Sequence, residues 1–222
     1  MRNKIIWTIL LWAGTTLFAF AQSNNLLPKY GEVAKSTAQL EADAQFLAEM
    51  DTYFAKDRHR AADETSKRAW QMLRQGNTSE AMRRFNQAWL LNPLDGSALW
   101  GMGAIQMQQE KIPQGLKLFE EAEPYLAGDI DFLVDHARAI GMAGAMTKNQ
   151  VLLDKAWPLF AANYARAPSH TLNLQNWAIV FFYTERYADA WQKLILAEKT
   201  PRSKEVDRGF VKALSDKMPR PN

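Results

Sequence analysis

The sequence contains no cysteine. This excludes disulfide staples, thiolate metal sites, a cysteine nucleophile and lipid attachment at an N-terminal cysteine. Histidine is scarce, with three residues in the whole chain, and charge of one sign is lacking, with 27 basic residues against 24 acidic ones. His59, His136 and His170 lie far apart, and none has the HExxH spacing suited to a metal. Gly-x-Ser-x-Gly, P-loop and Gly-x-Gly-x-x-Gly motifs are missing as well. Gly101-Met102-Gly103 falls inside a helical pattern with no strand before it, which argues against a nucleotide site. Period-two alternation between turn signals is absent too, so a sheet has no support.

What is present begins with MRNKIIWTILLWAGTTLFAFA. Arg2 and Lys4 precede an apolar run from Ile5 to Phe20, and Ala19-Phe20-Ala21 closes it with small residues around one large one. This order predicts a secretory signal over residues 1–21, cleaved before Gln22. The alternative is an uncleaved anchor, but the run is short for a bilayer span and the Ala-x-Ala ending favours removal. Losing Arg2 and Lys4 lowers the formal charge from +3 to +1, because the segment has no acidic residue. The basic character belongs partly to the signal, and the remainder has no global attraction for nucleic acid or an anionic membrane. The expected location is exported, periplasmic or secreted. A protein exported without disulfides must rely on its apolar core, and about 200 residues are enough to build one.

Residues 22–33 (QSNNLLPKYGEV) read as an extended lead-in. Ser36 with Gln39 three residues on is a capping-box signature, followed by Leu40, Ala44, Leu47, Met50 and Phe54 at helical spacing. A helix is expected from Thr37 to Ala55, and Asp57 is placed to cap the next, which ends at Gly76. Thereafter helix and short polar break alternate to the end. The predicted class is all-α.

The stretch QGNTSEAMRRFNQAWLLNP carries Ala81, Phe85 and Ala88, with Pro93 five residues further on. A shift of 34 brings these to Gly115, Phe119 and Ala122. The same shift takes Ala156, Phe160 and Asn163 to Ala190, Leu194 and Ala197, while the two pairs are separated by 41. Four copies therefore recur, with seven extra residues in or before the third. Leu99, Met102, Gly103 and Gln106 fill the first-helix positions of the second copy; Leu174, Trp177, Ala178 and Phe181 fill those of the fourth. Small residues allow paired helices to approach closely, and large ones fill the volume between them.

This pattern resembles the tetratricopeptide repeat, in which aromatic, leucine, small and alanine positions recur over 34 residues. The resemblance implies an all-α, right-handed helical-repeat solenoid closed by N- and C-terminal capping helices. The expected organisation is 1–21 signal, 22–61 lead-in and first cap, 62–202 repeats (62–95, 96–129, 130–168, 169–202), and 203–222 C-terminal cap. LLPKYGEV together with AMRRFNQAWLLNP is also similar to a group of exported bacterial tetratricopeptide proteins without an assigned activity. The departures are Gly115 for alanine, Glu110 for the turn glycine, Asn163 for a small residue, and a longer linker or helix between Met142 and Asp154 that Gly141, Gly144 and Lys148-Asn149 are expected to loosen. After Pro201, Val206, Phe210, Val211 and Leu214 share one face, as a terminal helix requires.

The remaining chemistry-bearing residues have plain readings. His136 falls on a repeat-core position, and Asp135 points away from it on a helix. Glu120, Glu121 and Glu123 read as a solvated acidic face. Asn77-Thr78-Ser79 is a glycosylation sequon in form, but more simply begins a helix. Trp177, Trp89 and Trp191 are packing positions, whereas Trp70 and Trp100 fall where first helices line the concave side.

The resemblance therefore yields a candidate partner-binding lining of Ser66, Trp70, Arg74, Trp100, Gln108, Arg138, Gln175 and Tyr183. Aromatics, amides and two arginines in one lining suit the backbone and a carboxylate of a peptide. The other outcomes are a solvated face, or one filled by residues 22–35 of the same chain. No catalytic residue, metal or cofactor is expected. The expected function is a non-enzymatic scaffold for a protein or peptide partner, with no nucleic acid and no stable membrane insertion. The alternatives are a structural component of a larger envelope complex and, last, a carboxylate-dependent hydrolase.

Overall fold

The computed structural model describes residues 24–221; the expected signal over residues 1–21 and its cleavage point lie outside them. Among the described residues ten α-helices follow one another: α1 (Thr37–Tyr53), α2 (Arg58–Arg74), α3 (Thr78–Leu91), α4 (Gly96–Gln108), α5 (Ile112–Leu126), α6 (Ile130–Thr147), α7 (Gln150–Arg166), α8 (Thr171–Tyr183), α9 (Tyr187–Glu198) and α10 (Arg208–Lys217). No strand occurs among the described residues. The chain is therefore all-α, with consecutive helices packed in pairs, which is a helical-repeat architecture. The contacts divide it into two compact units, one ending at Tyr125 and the other beginning at Leu126.

In the first unit, both halves of the Ser36–Gln39 capping box form at the start of α1. The helix stops at Tyr53, two residues before the expected end, because Ala55 and Lys56 turn into left-handed conformation. Its C-terminal half packs Phe46, Leu47, Met50 and Phe54 against Ala61, Ala62 and Leu91. Leu40, expected on the same face, is exposed. Asp57 caps α2 through the amide of Arg60, and Asn77 caps α3 through that of Glu80. Gly76 joins these helices at φ 79°, the left-handed turn that its type suits. Glu110 takes the same conformation between α4 and α5 at φ 60°, without glycine's freedom.

Packing follows the repeat. Ala81, Phe85 and Ala88 are fully buried, as are Ala122 and, within 1%, Phe119. A Cβ at Gly103 would come 3.0 Å from the Phe119 ring, and one at Gly115 would come 2.6 Å from Met107 Sδ. Alanine is usual at the Gly115 position, but the Met107 side chain occupies the space for its methyl.

The lead-in is not extended. Lys29, Tyr30, Gly31 and Glu32 all have positive φ, from 52° at Lys29 to 77° at Gly31, and form one left-handed turn. Asn86 of α3, which is fully buried, holds it. Its Nδ2 donates to the carbonyls of Asn25 (3.0 Å) and Leu27 (2.9 Å), and its Oδ1 accepts from the amide of Tyr30 (3.3 Å). Lys29 adds an ion pair to Glu121 of α5. The segment thus lies on the second helices, α3 and α5.

In the second unit, Ala156, Phe160, Ala190, Leu194 and Ala197 are fully buried and Asn163 nearly so. Asn163 is tolerated in place of a small residue because its Nδ2 donates to the Leu133 carbonyl at 3.0 Å. The seven extra residues form no loose linker. Compared with α4, α6 runs five residues further; α7 starts three earlier in the pattern, and the turn is one residue shorter. Gly141 and Gly144 are tight contacts: a Cβ there would come 2.8 Å from Val180 Cγ2 and 2.9 Å from the Leu153 amide nitrogen. Stacked rings link the pairs, with Trp157 on Phe181 at 4.8 Å and Phe160 on Trp177 at 5.7 Å. Val206 and Leu214 close the end, Phe210 and Val211 pack beside them, and Trp191 Nε1 donates to the Met218 carbonyl at 2.9 Å.

Candidate interaction surface

Trp70 on α2 and Trp100 on α4 approach at 4.6 Å between ring centroids, tilted by 58°. Trp70 is held from two sides: its edge meets Phe85 at 5.4 Å, and its Nε1 donates to Ser97 Oγ at 3.0 Å. Both indoles are half-buried. With Lys67, Arg74 and Ser97 they line a depression of ≈ 450 Å³. Lys67 pairs with Glu64 at 2.8 Å. Arg74 is exposed and has no hydrogen bond or ion pair with any described residue. The depression therefore offers aromatic faces beside an uncommitted guanidinium.

Ser66 stands behind this surface, not on it. It is 1% exposed, and its hydroxyl donates to Asp95 Oδ2 at 2.8 Å. Asp95 Oδ1 accepts from the amides of Ser97 (2.9 Å) and Ala98 (3.1 Å), capping α4. Burial pushes the Asp95 carboxyl above its ordinary pKa, against the opposing pull of the hydrogen bonds from Ser66, Ala98 and Ser97. The chain Ser66, Asp95, Ser97, Trp70 fixes where the first indole stands.

The other expected residues separate. Gln108 is exposed at the end of α4. In the second unit Gln175 is buried, and its Oε1 accepts from the Asp207 amide at 2.7 Å, tying α8 to the start of α10. Ser66 and Gln175 are thus corrections to the expected lining, since their polar atoms are used inside the fold. Arg138 is half-buried, with its Nε donating to Asp135 at 2.9 Å. Tyr183 is exposed and borders a separate depression of ≈ 360 Å³ with Lys148, Gln150 and Glu185. Sequence reasoning missed Asn86, which looks like any polar residue beside a core phenylalanine.

The histidines are placed as structural groups. His136 is buried. His170 accepts from the Asn173 amide through Nδ1 and meets Asp131 through Nε2 at 2.9 Å. His59 contacts Asn92 at 3.1 Å. Among the described residues no group of three or more His, Cys, Asp or Glu side chains is arranged to hold a metal ion. Glu121 is engaged by Lys29, whereas Glu120 and Glu123 are exposed.

Paired helices with small residues at their crossings and recurrent aromatics between them define a tetratricopeptide-like fold. Among solved structures the chain is similar to MamA, residues 41 to the end, from Desulfovibrio magneticus RS-1, a tetratricopeptide-containing protein. The identity is 15%, covering 72% of this chain and 84% of that one, with a TM-score of 0.52. The MamA RS-1 ArsTM double mutant matches at 14% identity over 72% of this chain and 92% of that one, with a TM-score of 0.48. No protein-family model and no curated protein matches the sequence. Among the described residues no helix is long and apolar enough to cross a membrane.

Proposed function

We propose that the protein is an exported, non-enzymatic scaffold that holds a protein or peptide partner, and that the first unit contacts it through the Trp70–Trp100–Arg74 depression. The observation that carries this reading is the pair of half-buried indoles at 4.6 Å beside an arginine with no internal partner. Tryptophan and arginine are among the side chains that most often dominate partner binding: an indole covers much area with little loss of rotamer freedom, and the planar guanidinium fork loses little per hydrogen bond formed. The rings stack on an apolar or proline side chain, and Arg74 takes a carboxylate through two parallel hydrogen bonds. The hydrogen bonds behind Trp70 hold the first ring before the partner arrives, so less entropy is lost on binding. The fold type supports a protein partner, and the signal pattern of residues 1–21 supports export.

The test is crosslinking of the full chain in the producing cell, with captured proteins identified by mass spectrometry. Trp100→Ala and Arg74→Ala are expected to remove the principal crosslinked partner while far-UV circular dichroism stays the same. Unchanged crosslinks in both variants would overturn the surface assignment. N-terminal sequencing of the protein from the same cells tests cleavage of the signal: a chain beginning at Gln22 supports export, and one retaining Met1 overturns the cleavage.

A further inference from the structure

A second cavity in the first unit, ≈ 330 Å³, lies between the left-handed turn at Lys29–Glu32 and helices α4 and α5. One side is apolar, formed by Leu27, Pro28 and Leu118. Gln106 also lines it; the residue is 2% exposed and its Nε2 has no hydrogen-bond partner. A buried amide donor left unbonded is uncommon in folded proteins and marks a place where an acceptor fits. Turning the Gln106 amide about its last torsion exchanges its donor and acceptor ends, so the group can present N–H to the cavity.

The charges around the cavity do not balance. Lys29 is committed to Glu32 at 3.2 Å and to Glu121. Burial opposes its charge, but the hydrogen bonds to Glu121 and Glu32 prevail and hold its pKa above the ordinary lysine value. Those two carboxylates are thereby occupied. Lys117 reaches Glu121 only at 4.0 Å, and Lys111 donates to the neutral Gln109 Oε1 at 3.0 Å. Three lysines thus face two carboxylates, a net charge of +1, and Lys111 has no anionic partner among the described residues, beside an apolar side and an unbonded amide donor.

We infer that this cavity binds a small aliphatic carboxylate. Its carboxylate lies between Lys111 and Lys117 and accepts from the Gln106 amide, while its hydrocarbon end covers Leu27 and Leu118. Charge and apolar surface act together here, because a carboxylate in a partly enclosed site gains more from lysine than it does in water. The site is separate from Trp70 and Trp100, so it stands or falls independently of the partner surface.

The test titrates the purified full chain with hexanoate, followed by calorimetry and by the side-chain amide NMR signals of glutamine. Saturable binding is expected, with the Gln106 signal shifting, together with slower amide exchange over residues 24–32, which form part of the cavity. Lys111→Met and Gln106→Met are each expected to weaken hexanoate about tenfold. Lys111 is exposed, so its replacement leaves folding intact even if the Gln106 variant does not fold. Hexanol, which lacks the charge, and acetate, which lacks the chain, are expected to bind at least tenfold more weakly. Absence of saturable hexanoate binding overturns the inference. So does binding undiminished in Lys111→Met, or hexanol binding as tightly as hexanoate.

Discussion

Gly101 of α4 lies against the face of Phe85 of α3 so closely that an ideal Cβ there would fall 2.0 Å from Phe85 Cζ. Phe85 is fully buried and cannot swing aside into solvent. Replacing a helical glycine with alanine normally gains about 1 kcal/mol of propensity. Here overpacking, about 1–3 kcal/mol, outweighs that gain. Gly101→Ala is expected to lower the urea midpoint, and Phe85→Leu in the same chain to restore part of the loss. A midpoint raised by Gly101→Ala would show that the contact is not close.

The turns offer a pair of opposite changes. Nothing lies within 4 Å of a Cβ at Gly76, so Gly76→Ala tests backbone conformation alone. At φ 79° it is expected to lose about 1 kcal/mol. Glu110→Gly, at φ 60° and exposed, is expected to shift stability upward by a few tenths to about 1 kcal/mol. Thermal melts that move in the same direction for both variants would contradict this assignment.

Asp95 makes stability depend on pH with a definite sign. Burial raises its folded pKa above the ordinary 3.8, so the native state binds the proton more tightly than the unfolded chain does. The resulting stability is complete below 3.8 and lost as pH rises through the folded value. Asp95→Asn keeps an oxygen for Ser97 and Ala98 but removes the titration. The melting temperature of the wild type relative to this variant should fall as pH rises from the acidic side of 3.8 toward neutrality. A constant difference would mean that the Asp95 pKa is the same in both states.

Asn86→Ala removes the hydrogen bonds to Asn25, Leu27 and Tyr30 that hold the left-handed turn. Each such bond contributes about 0.5–1.5 kcal/mol, while each non-glycine residue in left-handed conformation costs about 1–2 kcal/mol. Without Asn86 the strained turn is expected to detach. Hydrogen exchange should accelerate over residues 24–35 and stay slow in α3; equal protection in wild type and variant would show that Lys29 and Glu121 suffice.

Positions that repeat were legible in the sequence. Ala81, Phe85 and Ala88 do the same packing task as their counterparts 34 residues on, and that sameness is itself the signal. The polar members of the site were not legible, because their fate depends on distant partners. Ser66 and Trp100 occupy the same register, 34 apart, yet one is a buried hydroxyl and the other a half-buried indole. Ser66 is bound by Asp95, 29 residues away, and Gln175 by the Asp207 amide, 32 away. No local pattern encodes such meetings. The fate of Asn86 likewise depends on a lead-in segment some 60 residues earlier. Gly141 and Gly144 misled in the opposite sense, since glycine signals looseness by composition and close approach by contact.

The α6–α7 hairpin grows in both arms at once, and that has a practical result. Ala156 and Phe160 keep their buried places although the spacing to the preceding copy is seven residues longer. The tip at Lys148–Gln150 is exposed, and Gln150 can be replaced without removing the Asn149 side chain that caps α7. An affinity tag or photoreactive residue placed there would give a handle for recovering bound partners, at a site removed from the packing that keeps the unit folded.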